Sequence, residues 1–288
     1  MLDKIRKTLS TLANRKATAD GTPENSTAAL TRMAELEERI SHLEGHIIVL
    51  NTKLALYPLI HDGKYSQAVK LLNNTAKISL NRRQEVREFL NRTVLKERSR
   101  EWGQHGISRS FRYYSAEEKR AYLEFCLEVK GVISGFTPDV CLGFGTVLGI
   151  VREGDLIPHD DDVDLIACVP NATDITDGVR ILSDFLSQKG YRVTLSPGHF
   201  KVERPGAAAL DVFPGYRVGA FVNWRPGPRD TLRHDDIFPP APLMYQGLSC
   251  DAPRNPEKYL ELVYGETWRT PRPAFRHVWD NFKDKIAK

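Results

Sequence analysis

Seven apolar residues near the front of the chain repeat with a strict beat. Met33, Leu36, Ile40, Leu43, Ile47, Leu50 and Leu54 are spaced 3, 4, 3, 4, 3, 4. With Met33 at heptad position a, Ile40, Ile47 and Leu54 also fall at a, and Leu36, Leu43, Leu50 and Tyr57 fall at d. Isoleucine at a with leucine at d favours a parallel two-stranded coiled coil. Arg32 and Arg39 at g meet Glu37 and Glu44 at the following e positions of a second chain, with the right sign for interchain pairs. The pattern predicts self-association, a dimer first of all, through residues 29–57. The alternative is a helix packed on its own chain. Pro58 is expected to stop the helix.

Other stretches have other periods. Leu2, Ile5, Leu9 and Leu12 share one helical face, and Lys4, Arg6, Lys7, Arg15 and Lys16 surround it. Residues 2–16 therefore read as a basic amphipathic helix suited to an anionic membrane surface, or else as a solvated terminus or a helix packed on its own protein. Ala17 to Thr27, with Gly21, Pro23 and Asn25, reads as a linker, closing a first segment at residue 28. Residues 64–101, within a segment 58–101, predict two further helices, marked by Tyr65, Val69 and Leu72 and by Val86, Phe89, Leu90 and Val94. A spacer or oligomerisation module is the expectation there.

From Trp102 the pattern changes. A helix is predicted over Ala116–Ile133, with Tyr122, Phe125, Val129 and Ile133 on one face, and another over 174–189. Short strands suit Asp139–Leu142, Asp164–Val169, Tyr191–Leu195 and Leu210–Val212. Strands separated by helices predict an α/β domain over residues 102–288.

Composition adds limits. Of 288 residues, 41% are hydrophobic and 27% charged, which excludes a wholly disordered or collagen-like chain. No run of 18 apolar residues predicts a membrane span, and no apolar stretch after Met1 resembles a signal-peptide core. Residues 1–110 carry 19 basic and 12 acidic side chains (+7), and residues 111–288 carry 22 and 25 (−3). The front of the chain is thus expected to meet something anionic. Aromatic and basic residues are not interleaved as in a nucleic-acid reader, so no nucleic acid is expected. Cys126, Cys141, Cys168 and Cys250 have no C-x-x-C spacing, which gives a zinc site little support. Reduced thiols and a cytoplasmic location, with peripheral contact at the inner face of the membrane, are the resulting expectation.

The chemistry concentrates in CLGFGTVLGIVREGDLIPHDDDVDLIACV, residues 141–169. Asp160, Asp161, Asp162 and Asp164 crowd together and lead into an apolar strand. Like charges this close are costly unless a cation neutralises them. Residues i and i+2 of a strand share a side, so Asp162 and Asp164 can share a hard divalent ion, magnesium or manganese. A solvated acidic loop is the plain alternative, but the strand Leu165-Ile166-Ala167 ties down its last members. Upstream, Gly143, Gly145 and Gly149 surround Thr146, a setting in which backbone amides and a hydroxyl can meet phosphate. Arg152 adds a fixed cation. Asp211 stands alone in the apolar LDVF, where it needs a cation or several donors; Lys201 and Arg204 are candidate partners.

A glycine-hydroxyl turn, an Asp-x-Asp strand and a lone Asp on a later strand resemble the nucleotidyltransferase fold. More narrowly, GTVLGIVREGDLIPHDDDVDL, LDVFP and APLMYQGLSCDAPRNPEKYLELVYGETW resemble the three ordered motifs of the LicD family, which includes bacterial phosphocholine transferases, fukutin and fukutin-related protein. The resemblance covers about residues 102–275. His159 stands where the family commonly has Trp, and Glu153 where it commonly has His.

The resemblance implies a nucleotidyltransferase-like mixed sheet flanked by helices, behind the coiled-coil region. It also implies transfer of a phosphorylated alcohol (alditol phosphate or phosphocholine) from a CDP-linked donor to a hydroxyl of a glycan acceptor, with release of CMP. Asp162, Asp164 and Asp211 are then the expected metal ligands, and Asp211 or Asp160 the base. Gly145, Thr146, Arg152 and Lys201 are expected to hold donor phosphates. His159 can also take a proton, though a lone His is more often structural. Tyr259, Tyr264 and Trp268 either stack on a base or sugar or pack in the core. Arg225, Arg229 and Arg233 either meet an anionic substrate or lie in a solvated loop. Two other readings stand beside this one: a metal-dependent glycosyltransferase using a nucleotide sugar, and an inactive coiled-coil scaffold.

Overall fold

The computed structural model describes residues 23–271, apart from 77, 104, 105, 206, 207, 226 and 228, together with Thr11; the side chains of 23–30 are outside that description. Apart from Thr11, the expected basic helix of residues 2–16 lies outside the described residues. The chain divides into two compact units, Met1–Ser108 and Arg109–Lys288. The boundary falls after Ser108 rather than after residue 101 because a small hairpin closes the first unit.

That unit is built on one long helix, α1 (Pro23–His61), followed by α2 (Tyr65–Asn74), α3 (Leu80–Arg92) and α4 (Val94–Glu97). The hairpin pairs β1 (Glu101–Trp102) with β2 (Ile107–Ser108). Two proline expectations are corrected. Pro23 opens α1 instead of lying in a linker, because a first-turn proline gives up an N–H that has no helical acceptor anyway. Pro58 lies inside α1. So near the end it removes one hydrogen bond, and the last turn still closes, with Asp62 N donating to Pro58 O at 2.9 Å.

The core of this unit contains Val49, Leu56 and Ile60 from α1, Ala68 and Leu72 from α2, Val86 and Leu90 from α3, and Trp102. The buried stripe of α1 is therefore not the heptad seam. Val49 and Leu56 occupy position c, and Gly45 and Thr52 position f, all buried. A Cβ on Gly45 would meet the Arg82 guanidinium at 1.0 Å, so the bare backbone there is the surface over which Arg82 of α3 lies.

In the second unit, α5 (Ala116–Ser134) begins at a reciprocal cap between Ser115 and Glu118. Then come β3 (Val140–Leu142), α6 (Phe144–Glu153), β4 (Asp164–Cys168), α7 (Ile175–Gln188), β5 (Arg192–Ser196), β6 (His199–Glu203), β7 (Leu210–Val218) and β8 (Phe221–Asn223). The sheet order is β3-β4-β7-β6-β5, and β8 pairs with the far end of β7. β4 and β7 are parallel, while β3–β4, β7–β6 and β6–β5 are antiparallel. The sheet is mixed and carries helices, as expected. All five β4 residues are buried, as suits a strand covered on both faces. β6 alternates, with Phe200 and Val202 buried and Lys201 half-buried between them. A short α8 (His234–Ile237), the hairpin β9 (Ala241–Tyr245) and β10 (Leu248–Ala252), and α9 (Pro256–Tyr264) complete the described residues. All four cysteines are free and buried. No helix among the described residues is long and apolar enough to cross a membrane.

Candidate active site

Strand register assembles the site. Asp164, first residue of β4, is the parallel neighbour of Asp211 on β7. Lys201 on β6 lies opposite Asp211 from the other side. Three adjacent strands thus carry Asp164, Asp211 and Lys201 in one row. Asp162 sits just before β4, and ligand oxygens of Asp162, Asp164 and Asp211 all lie within 4.8 Å of one another. Asp160, Asp161 and Asp162 form a second group with the same closeness. The four expected carboxylates therefore converge, though they are spread over more than fifty positions of sequence.

Their electrostatics are those of a site short of positive charge. Asp164 is 7% exposed and Asp211 5%. Burial, then the charge of Asp162, followed by Asp160 and Asp211, pushes the Asp164 carboxyl well above its usual range. Burial and Asp162 do the same to Asp160. Among the described residues, the ammonium built against the cluster is that of Lys201, whose Nζ is 2.8 Å from Asp211 Oδ1. Burial works against that ammonium, but Asp211, with Asp162 and Asp161 behind it, outweighs burial and raises its pKa. The Lys201 contact lacks hydrogen-bond alignment, so Asp211 Oδ1 is a buried oxygen with no directed donor. An oxygen-only cluster with an undirected buried lone pair fits a hard divalent cation. Asp162, Asp164 and Asp211 are the residues that would hold it.

The turn before α6 supports the cluster directly. Gly145 offers its backbone N–H to the Asp164 carboxylate, and a Cβ there would sit 2.5 Å from Asp160 Oδ2. Glycine is needed at 145 so that carboxylates can reach the helix start. The Thr146 hydroxyl, buried, accepts from Asp164 N at 2.9 Å, which fixes the first residue of β4. Gly143 and Gly149 serve packing: a Cβ would meet Ile166 at 2.5 Å and the Asp155 carbonyl at 2.6 Å. Arg152 pairs with Glu153 at 2.5 Å and donates to the Trp268 carbonyl at 3.3 Å. His159 is exposed.

Three supporting side chains come from far away in sequence. The Tyr122 hydroxyl donates to the Ala209 carbonyl and accepts from Val163 N. It thereby clasps the residue between Asp162 and Asp164 to the residue two before Asp211. Tyr259, buried in α9, receives the Phe144 N–H at 3.0 Å and holds the chain where Phe144 has a φ of 39°. Trp268 is 5% exposed, so Tyr259 and Trp268 belong to the core; Tyr264 packs against it. His199 stacks on Phe213 at 4.9 Å, and its Nε2 lies 3.6 Å from Asp211 Oδ2. Tyr122 was expected only as a core residue and His199 not at all. The signal for His199 was present: Pro197-Gly198 followed by alternating HFKVE is a turn leading into a strand.

Among the other groups, Asp139, Cys168 and His234 meet at the opposite end of β4. There His234 Nε2 pairs with Asp139 Oδ2 at 2.7 Å, and burial followed by Asp139 pushes the Cys168 thiol up to about 12. Arg233 lies over Phe221, and Arg229 is exposed.

Residues 139–255 match the family model described as LicD/FKTN/FKRP, nucleotidyltransferase domain. Over these residues the second unit is similar to the LicD family. Its match spans β3 to the start of α9 and includes every carboxylate of the cluster. Two curated relatives are similar to the chain, the ribitol 5-phosphate transferases FKRP of Homo sapiens and of Mus musculus. Each is 28% identical over 170 residues, covering 54% of this chain and 34% of the relative. The chain thus spans about a third of the length of these relatives. Two solved structures of the antibiotic-resistance factor ANT(2'')-Ia are more distant. The solution structure is 16% identical over 47% of this chain and 66% of its own, with a TM-score of 0.34. The complex with adenylyl-2''-tobramycin is 18% identical over 44% and 67%, with a TM-score of 0.31.

Proposed function

We propose that the LicD-family unit is a divalent-cation-dependent phosphotransferase. It moves a phosphorylated alcohol, an alditol phosphate or phosphocholine, from a CDP-linked donor to a hydroxyl of a cell-surface glycan (capsule, lipopolysaccharide or teichoic-acid-like) and releases CMP. The observation that carries this reading is the convergence of Asp162, Asp164 and Asp211, with ligand oxygens within 4.8 Å, inside a domain similar to two ribitol 5-phosphate transferases.

The chain's own residues supply most of the steps. Lys201 brings a fixed positive charge to the edge of the cluster, where a donor phosphate oxygen can replace part of its pairing with Asp211. The α6 N-terminus, with Gly145 in its first turn, presents backbone N–H groups and the positive end of a helix dipole to the same place. Asp160, its carboxyl raised by burial and by Asp162, takes the proton of the acceptor hydroxyl as its oxygen bonds to phosphorus. The bond from that phosphorus to the bridging oxygen breaks, and CMP leaves with the oxygen. A divalent ion held by Asp162, Asp164 and Asp211, magnesium or manganese, supplies neutralisation of the charge on the departing phosphate.

The surrounding expectations belong to the same reading. The enzyme acts in the cytoplasm as a homo-oligomer, with residues 2–16 touching an anionic inner membrane face, where glycan precursors and several active sites are held together.

The test is CMP release and thermal stabilisation with CDP-ribitol, CDP-glycerol, CDP-choline and a nucleotide sugar, each with and without magnesium. Magnesium-dependent stabilisation by a CDP-alcohol, lost in Asp162→Asn, is expected. Stabilisation by the nucleotide sugar alone would replace this reading with a glycosyltransferase, and no response to any donor with an unchanged fold would favour a scaffold.

A further inference from the structure

Helix α1 has two apolar stripes, and the structure uses only one. On the c/f side, Gly45, Val49, Thr52 and Leu56 are buried in the helical unit. On the a/d side, Leu43 is 56% exposed, Ile47 49%, Leu50 57%, Leu54 64% and Tyr57 47%. Positions c and f lie on the side of a helix away from a and d, so the core of the helical unit leaves the seam from Leu43 to Tyr57 exposed, although Ile40, at a, is 8% exposed. The intramolecular alternative therefore accounts for the c/f stripe but not for the heptad.

We propose that the exposed a/d stripe of α1 is covered by the same stripe of a second copy of this chain, in parallel and in register. The charge pattern selects this occupant and its direction. Arg32, Arg39, His46 and Lys53 occupy successive g positions, and Glu37 and Glu44 occupy e. In a parallel pair, g faces the following e of the partner, so Arg32 and Arg39 meet the partner's Glu37 and the partner's Glu44. In an antiparallel pair, g faces g and e faces e, which sets basic against basic and acid against acid. An antiparallel arrangement therefore gains no attractive pair at its charged flanks.

The internal packing also limits the number of strands. Lys53 is already paired with Glu85 of the same chain at 2.8 Å, and Pro58 occupies the last e position. The flanks that a third or fourth helix would cover are thus partly taken in the C-terminal half. Isoleucine at a with leucine at d points to two strands as well. The pairing is specified electrostatically by its first two heptads and by apolar contact through the rest. This interface is independent of the reaction assigned to the second unit.

The experiment uses the full chain, 32.6 kDa as a monomer, in sedimentation equilibrium from about 0.1 to 50 µM. A species of twice the monomer mass is expected. Ile47→Glu combined with Leu50→Lys should return it to monomer mass with its circular dichroism and CDP-alcohol response intact, because both positions are exposed and outside the helical unit's core. Leu43→Cys tests direction: a parallel pair places the two introduced thiols together, and oxidation should give a covalent dimer that Leu43→Ser does not. Arg32→Glu with Arg39→Glu should weaken the pair, and mixing with Glu37→Arg, Glu44→Arg chains should restore it. Wild type at monomer mass across the range, a dimer indifferent to Ile47→Glu and Leu50→Lys, or absence of the Leu43→Cys cross-link would each overturn the proposal.

Discussion

The two units depart from the usual separation of apolar inside and charged outside in opposite directions. In the helical unit, a row of large apolar side chains, Leu43, Ile47, Leu50 and Leu54, faces water. In the second unit, Asp164 and Asp211 are taken out of water beside two further carboxylates. Each departure is costly in the isolated chain. The lesson is that cost is local and directional: the helical unit needs an apolar surface of matching period, and the other needs positive charge at a matching radius.

That contrast can be broken most severely at the carboxylates. Asp164→Asn should reduce transfer by about 10²–10³-fold, reflecting several kcal/mol of lost charge stabilisation at about 1.4 kcal/mol per decade. In magnesium-free buffer the same variant should melt higher than wild type, because it removes a buried like charge. A melting point that falls in both conditions would mean the cluster is a structural network and not a cation site.

Stability against pH gives the next largest effect. Asp164 and Asp160 have folded pKa values raised well above 3.8, so between about 4 and those raised values the folded chain binds more protons than the unfolded chain. Stability must then fall as pH rises through that window. Carboxylates whose folded pKa is lowered, such as Asp155 and Glu118, act in the other sense and lose their contribution only as pH drops below about 4. Melting curves from pH 5 to 8 should therefore slope downward without magnesium and flatten with it. An identical slope in both would separate the cluster from cation binding.

Tyr122→Phe should cost about 1–3 kcal/mol, because the buried Val163 N–H and Ala209 carbonyl both lose a partner. Transfer should fall with it, while chain mass in sedimentation stays unchanged. The smallest effect belongs to the helical unit: Lys53→Ala removes a partly exposed ion pair with Glu85, and urea melts should shift by about 1 kcal/mol or less.

Much of this arrangement was legible because it is local. The 3, 4 spacing showed α1, the Tyr122-Phe125-Val129-Ile133 face showed α5, and crowded aspartates before Leu165-Ile166-Ala167 showed where the site lies. What stayed hidden depends on distant partners. The c/f stripe of α1 was masked by the stronger heptad on the same helix. Pro58 reads locally as a stop, because its closeness to the helix end, where one lost bond is tolerable, is a matter of context. The hairpin β9–β10 turns at Gln246-Gly247, both with positive φ, a weaker sequence signal than Asn-Gly. Tyr122 and Tyr259 joined the site through hydrogen bonds to backbone far along the chain, and no local pattern announces such a bond.

The parallel pairing of β4 with β7 has a kinetic side. Asp164 and Asp211 become neighbours only after α7, β5 and β6 have been laid down between them, so the contact closes a long stretch of chain and arrives late. Closing it brings together two carboxylates that repel. Free magnesium during refolding should then act on the rate at which the sheet completes, beyond its effect on the finished protein, and Asp211→Asn chains should refold at a rate indifferent to the ion. The carboxylates proposed to serve the reaction would, on the way to the native state, oppose the closing of its central strands.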